Sequence, residues 1–167
     1  MNILHYQKKT FNFFFKLENI FSIILILVIF VFDRFTKYKA IENLSENTLY
    51  INDYTNFNLI WNTGIGFGLF SSQSSIIYNL ISLIIGILVI YLIYFALKSD
   101  KFDKIFFSII IGGALGNFYD RITLKAVPDF IDLHYENFHW FTFNIADIFI
   151  SLGIALFLMR GFFKKNI

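Results

Sequence analysis

The sequence predicts an all-α integral membrane protein: four transmembrane helices with a small extracytoplasmic β-rich platform and both termini cytoplasmic. Three observations lead there. The chain of 167 residues is 57% hydrophobic with a mean hydropathy of +0.63, a value that soluble domains of this size rarely approach. Its apolar residues fall in blocks near the length of about 20 that a helical span requires. The costly polar residues inside or beside those blocks gather at the same, outward-facing end of the first, third and fourth. The 24 Phe, 9 Tyr and 2 Trp also suit lipid contact and interfacial anchoring.

The first span covers about 17–36, centred on "IFSIILILVIFVF", and follows an N-terminal extension, 1–16. It is read as a retained span rather than a signal peptide, because it lacks a small-residue cleavage site and leads into Asp33 and Lys37. The second, about 76–97, carries no charge; the third, about 105–120, is short and ends in Asp120-Arg121; the fourth runs 143–163, leaving a tail of 164–167. Spans and connections form one membrane domain, 17–163.

Orientation follows from the basic residues. Lys8, Lys9 and Lys16 precede the first span, Lys98, Lys101 and Lys104 lie between the second and third, and Arg160, Lys164 and Lys165 close the chain. With four spans these three regions share a side, and the positive-inside rule makes it cytoplasmic. The longer connections, about 38–75 and 120–142, then face outward. In the first of them "TLYINDYTNFNLIWN" alternates well enough for short strands, and "NTGIGFG" supplies glycine-driven turns.

Several chemistries are excluded or left without support. The absence of Cys removes disulfides, thiolate nucleophiles and cysteine metal sites, and a net charge of +2 is too small to imply nucleic acid. Ser71, Ser72, Ser74 and Ser75 have no partnered His or Lys. His134 and His139 share a loop with Asp132 and Glu136, but no spacing matches a helical ligand pair, and a fixed metal site needs three convergent ligands. "GIGFG" fails as a dinucleotide fingerprint on spacing and lacks a βαβ context.

Ionisable residues at span ends are functional hypotheses by default. Asp33 and Lys37 stand i,i+4, a spacing for an ion pair that either anchors structure or touches substrate. Gly112 and Gly116 form a small-residue face for close helix approach. Asn117, Asp120 and Arg121 end the third span as a polar cluster. Asn144 and Asp147 have the pattern of a capping box, with Asp147 near the positive end of the helix dipole. Two aspartates sharing a proton can activate water against a peptide carbonyl and then protonate the leaving amine. Asp120, Asp129, Asp132 and Asp147 are all candidates, and spacing alone does not choose between them.

Five motifs in order make the choice. "DRFTK" (33–37) is similar to D-Q-x-T-K, "NTGIGFG" (62–68) to N-x-G-A-A-F-G and "VPDFI" (127–131) to V-V-D-F, while "GGALGNFYDR" (112–121) matches G-G-A-x-G-N-x-x-D-R and "FNIAD" (143–147) matches F-N-x-A-D. On these the chain resembles lipoprotein signal peptidase (signal peptidase II), a bacterial inner-membrane aspartyl protease of four transmembrane helices. The resemblance covers about residues 25–160. It implies a catalytic pair of Asp129 and Asp147, supported by Asn62, Gly64, Asn117, Asp120, Arg121 and Asn144, with Asp33 and Lys37 structural or orienting. It further implies a prolipoprotein substrate cut just before a diacylglyceryl-modified cysteine, contact with membrane phospholipid, a monomer, and no metal or organic cofactor. The departures from the family pattern are Arg34 for Gln, Ile65 and Gly66 for Ala, and Pro128 for Val. Proline fixes its own φ and biases Val127 toward extended backbone.

The rival expectation is a non-catalytic membrane module. That would place polar residues at both ends or along the midplane of the spans as a path, which this sequence does not do.

Overall fold

The computed structural model describes residues 16–64 and 75–164. Among these are four long helices, α1 (Leu17–Leu44), α2 (Ser75–Lys98), α3 (Lys101–Thr123) and α4 (Ile145–Lys164). All four are long and apolar enough to cross a membrane. Helices satisfy their backbone polar groups internally, so long apolar runs take this form in lipid. Side chains such as Val28, Leu83, Ile90 and Leu158 point outward from the bundle, as a lipid-facing surface requires.

Helix α3 is the centre of the bundle. Half of its most apolar stretch is buried, against 17–22% for the other three. Glycines permit this. A Cβ on Gly112 would come within 2.8 Å of Ile29 on α1, and one on Gly113 within 2.5 Å of the Ala146 carbonyl on α4. Gly116 lies against the Asp33 carboxylate. The glycine face therefore packs helices, and it also seats a buried acid.

Strands β1 (Leu49–Asn52), β2 (Thr55–Asn62), β3 (Val127–Tyr135) and β4 (Phe138–Phe143) form an antiparallel sheet in sequence order. Phe57 pairs with Ile131 and Ile131 with Phe143; one residue along, Asn56 pairs with Asp132 and Asp132 with Thr142. Apolar and polar rows thus alternate across the sheet and occupy opposite faces.

The structure differs from the sequence reading in four places. The sheet takes half its strands from the second long connection, where only a loop was expected. Helix α1 runs through Asp33 and Lys37 to Leu44 instead of stopping near 36, because the two charges are paired inside the bundle. Helix α3 starts at Lys101 and continues to Thr123, capped by the Asp100 side chain, which accepts from the amides of Phe102 and Asp103. Lys104 is not a simple flanking charge: it is buried and donates to Asn19 Oδ1 at 2.7 Å. Past α3, Lys125 adopts φ 61°, the left-handed conformation usual after a helix C-cap, and turns the chain into β3. The N-terminal extension with Lys8 and Lys9, the Ile65 and Gly66 departures, the serines 71, 72 and 74, and Lys165 lie outside the described residues.

Candidate active site

The sheet end of the bundle holds Asp129 from β3 and Asp147 from the first turn of α4. Both are buried, with relative exposures of 2% and 7%. Asn144 joins them. Its side-chain amide donates to Asp129 Oδ1 at 2.6 Å, and its backbone N–H donates to Asp147 Oδ2 at 3.2 Å. In return, the Asp147 N–H donates to Asn144 Oδ1 at 3.2 Å. The capping box is therefore real, and the residue that caps the helix also grips the second carboxylate.

Two more asparagines complete the cradle. Asn62, the last residue of β2, donates from Nδ2 to Asp129 Oδ2 at 2.8 Å. Its Oδ1 accepts from the Gly64 N–H at 2.8 Å, an Asx turn that fixes which end of the amide faces the acid. Asn117 donates to Asp147 Oδ1 at 2.8 Å and accepts from Lys37 Nζ at 2.7 Å. Arg121 holds main chain: its guanidinium reaches the Asn117 carbonyl at 3.0 Å and the Gly64 carbonyl at 2.8 Å.

Behind this cradle lies a charged cluster. The Lys37 ammonium sits 2.8 Å from Asp33 Oδ2 and 2.8 Å from Asp120 Oδ2, with all three side chains fully buried. Asp33 Oδ1 also accepts the Ala146 N–H at 3.0 Å, so an acid on α1 helps cap the helix that carries Asp147. Arg34 pairs with Asp120 Oδ1 and places its guanidinium 4.8 Å from the Tyr119 ring. Two acids meet two cations, which suits a buried setting where an unmatched charge is strongly unfavourable.

Asp129, Asp147, Asn62, Asn117 and Asn144 converge on one spot. Gly64 and Arg121 brace it through backbone. Asp33, Lys37 and Asp120 lie one layer behind. Arg34, noted in the sequence only as a departure from Gln, pairs with Asp120, and nothing local in the sequence reveals a partner 86 residues away. Tyr78, which donates to the Arg121 carbonyl at 3.0 Å, was missed for the same reason.

The environment shifts the Asp129 acid. Burial, then the neighbouring Asp147 charge, push it up to about 7, against the opposing hydrogen bonds from Asn62 and Asn144. Asp129 therefore exchanges its proton near neutral pH, where a general acid–base group is most effective. Beside the acids an apolar cavity of about 390 Å³ extends between α2, α3 and α4. Leu88, Val89, Ile110 and Ile154 line it, with Asn117, Arg121 and Asp147 at its polar end.

Comparison with known proteins identifies the family. Residues 25–163 match the family model described as signal peptidase (SPase) II. The lipoprotein signal peptidase of Pelagibacter ubique (strain HTCC1062) is 50% identical over 155 residues, covering 90% of this chain and 93% of the relative. That of Thermodesulfovibrio yellowstonii is 41% identical over 144 residues, covering 86% and 93%. A solved bacterial membrane enzyme, determined by the in meso method, superposes with a TM-score of 0.69 at 29% identity, covering 87% of this chain and 88% of that one. The chain is a multi-pass membrane protein that belongs to the signal peptidase II family.

Proposed function

We propose that the protein is a membrane aspartic endopeptidase that removes the signal peptide from diacylglyceryl-modified prolipoproteins, with Asp129 and Asp147 as its catalytic pair. The observation that carries this is the pair itself. Two buried acids from different elements are held together by amides, and one of them titrates at about 7. Two carboxyls bridged by one asparagine, one of them holding its proton to near neutrality, can share a single proton between them. The ionised carboxylate takes a proton from water as the water oxygen attacks the scissile carbonyl. The protonated carboxyl stabilises the developing oxyanion by hydrogen bonding. As the C–N bond breaks, a proton passes to the leaving amine, which is the new N-terminus at the lipidated cysteine. The cycle closes with the proton again shared, and two carboxylates suffice for the chemistry without a cofactor.

The surroundings support the rest of the reading. Asn62, Asn117 and Asn144 orient the acids; Arg121 with Gly64 holds the chain after β2, a rim against which substrate backbone can lie. The apolar cavity ending at Asp147 has the shape and chemistry for acyl chains of a lipidated cysteine. The opposite end of the bundle carries Lys98, Lys101, Lys104 and Arg160, so the site faces the extracytoplasmic side of the inner membrane with both termini in the cytoplasm. One chain supplies both acids and their amide partners, so a monomer suffices for the chemistry.

The test is to incubate purified protein with a diacylglyceryl-modified precursor and with the same precursor unmodified, and to look for a size shift on a gel. Cleavage of the modified form alone is expected. No shift under conditions where a known lipoprotein signal peptidase cuts, or equal cleavage of both forms, contradicts the reading.

A further inference from the structure

We propose that Asp132, His134 and His139, on the sheet, form a binding site for one divalent transition-metal ion of the Zn²⁺ class, separate from the aspartate pair. Sequence spacing did not suggest it because the ligands converge only through strand pairing. Asp132 and His134 stand i,i+2 on β3 and so share a face. The two-residue turn at Glu136 and Asn137, with Glu136 at φ 52°, folds β4 back so that His139 lies directly opposite His134. One donor atom from each residue lies within 4.8 Å of the others. His139 Nδ1 is 2.7 Å and His134 Nδ1 is 3.7 Å from the same oxygen, Asp132 Oδ2. Bonds of about 2.0–2.2 Å in tetrahedral geometry set neighbouring ligands roughly 3.3–3.5 Å apart, so the observed spacings need only small side-chain adjustment.

The polar atoms around the cluster make the stronger argument. His134 is 93% buried by its relative exposure of 7%, and its Nδ1 has no hydrogen-bond partner among the described residues. The same holds for Asn56 Oδ1. The Asn56 Nδ2 atom lies 3.4 Å from His134 Nε2. Oxygen and nitrogen of an amide are assigned from their partners, and turning this amide over brings Oδ1 to a protonated Nε2. That tautomer leaves the Nδ1 lone pair aimed at the Asp132 carboxylate. Two electron-rich atoms facing each other in a buried site repel, and a cation between them turns the repulsion into two bonds. A metal-bound histidine commonly donates its other N–H to a carbonyl or carboxylate. One amide flip and one ion therefore satisfy both orphaned atoms.

The rest of the site agrees. Asp132 is buried at 2% exposure, and among the described residues the side-chain nitrogens within 4.0 Å of its carboxylate belong to these two histidines rather than to a Lys or Arg. Thr142 Oγ1 lies 3.5 Å from its other oxygen. The two imidazole rings stack with centroids 5.4 Å apart. His139 is 58% exposed, which gives an ion access and leaves room for water as a fourth ligand. Two imidazoles and a single carboxylate favour Zn²⁺ or a neighbouring transition metal over Mg²⁺ or Ca²⁺. Asp129 lies three residues along the same strand, on the opposite face by alternation, so the ion would tie β4 to the strand carrying that acid without touching it.

The test uses full-length protein in detergent, freed of any histidine tag and treated with chelator, titrated with Zn²⁺ against a chromophoric competitor. One Zn²⁺ per chain is expected, together with a rise in Tm that Mg²⁺ does not produce. His139→Ala, at a position whose side chain is more than half exposed, should weaken binding at least about tenfold and abolish the Tm rise. Asn56→Leu, which removes the carbonyl behind His134, should weaken it by about tenfold. Failure of the wild-type protein to bind micromolar Zn²⁺ would overturn the proposal. So would unchanged binding in His139→Ala, which would place the ion elsewhere, for example at His5.

Discussion

The two ends of the helical bundle treat carboxylates in opposite ways. At the end away from the sheet, Arg160 contacts Asp100 at 2.6 and 2.9 Å and Asp103 at 2.5 Å. Arg160 holds the Asp100 carboxyl well below the usual carboxylate range, so it stays ionised at any ordinary pH. At the sheet end, Asp129 and Asp147 accept hydrogen bonds from amides of Asn62, Asn117 and Asn144 instead of from a cation. Of the cations of that end, Lys37 and Arg34 are taken up by Asp33 and Asp120 one layer back, and Arg121 by the Asn117 and Gly64 carbonyls. An amide fixes a carboxylate in space without forcing it to remain charged. A guanidinium does both. The difference separates acids that hold the protein together from acids free to move a proton.

Substitutions along this contrast should differ sharply in effect. Asp129→Asn or Asp147→Asn should lower cleavage of lipidated precursor by at least about 10³-fold, read on a gel, while the variant remains inserted and folded. Substantial activity in either would remove the pair from the mechanism. Lys37→Met leaves Asp33 and Asp120 short of a buried cation, and a loss of about 3–5 kcal/mol in thermal or denaturant unfolding is expected. Asn144→Ala removes the amide on Asp129 and the cap on α4 together. Stability should fall by about 1 kcal/mol, and kcat should fall further than that loss of folded protein explains. Arg160→Ala breaks two partly exposed ion pairs at the other end, so Tm should change by less than about 3 °C and activity hardly at all. A large effect there would mean that the two ends are not distinguished as argued.

What the sequence revealed follows the same division. The four spans were visible because lipid demands long apolar runs, and α2 contains no charge before its final Lys98. Their limits were less visible. Asp33 and Lys37 look like the end of a span until the partners of Lys37 on α3 and of Asp33 on α4 are known, and those lie 80 or more residues away. Strand β3 was hidden because Val127 to Phe130 are buried without interruption, which removes the alternation that marks a half-exposed strand. Pro128 also argues against a central strand. It is tolerated because it faces Trp61 on β2, while pairing with β4 begins only at Ile131. Of the four candidate acids, local sequence distinguished none. The structure separates them by their partners: Asp120 meets Arg34 and Lys37, Asp132 meets two histidines, and Asp129 and Asp147 meet amides and each other.

The pH dependence of kcat/KM on a lipidated precursor, measured for the wild-type protein and for Asn62→Ala, tests that distinction most directly. Asp129 is protonated below about 7 and loses its proton above it, so the proton it holds for the reaction is gone at alkaline pH. The account predicts a rate that falls as pH rises through about 7. The Asn62 hydrogen bond lowers the Asp129 value, so its removal should move that alkaline limb to higher pH. A wild-type profile that stays flat well into the alkaline range, or a limb that does not move in Asn62→Ala, would contradict it.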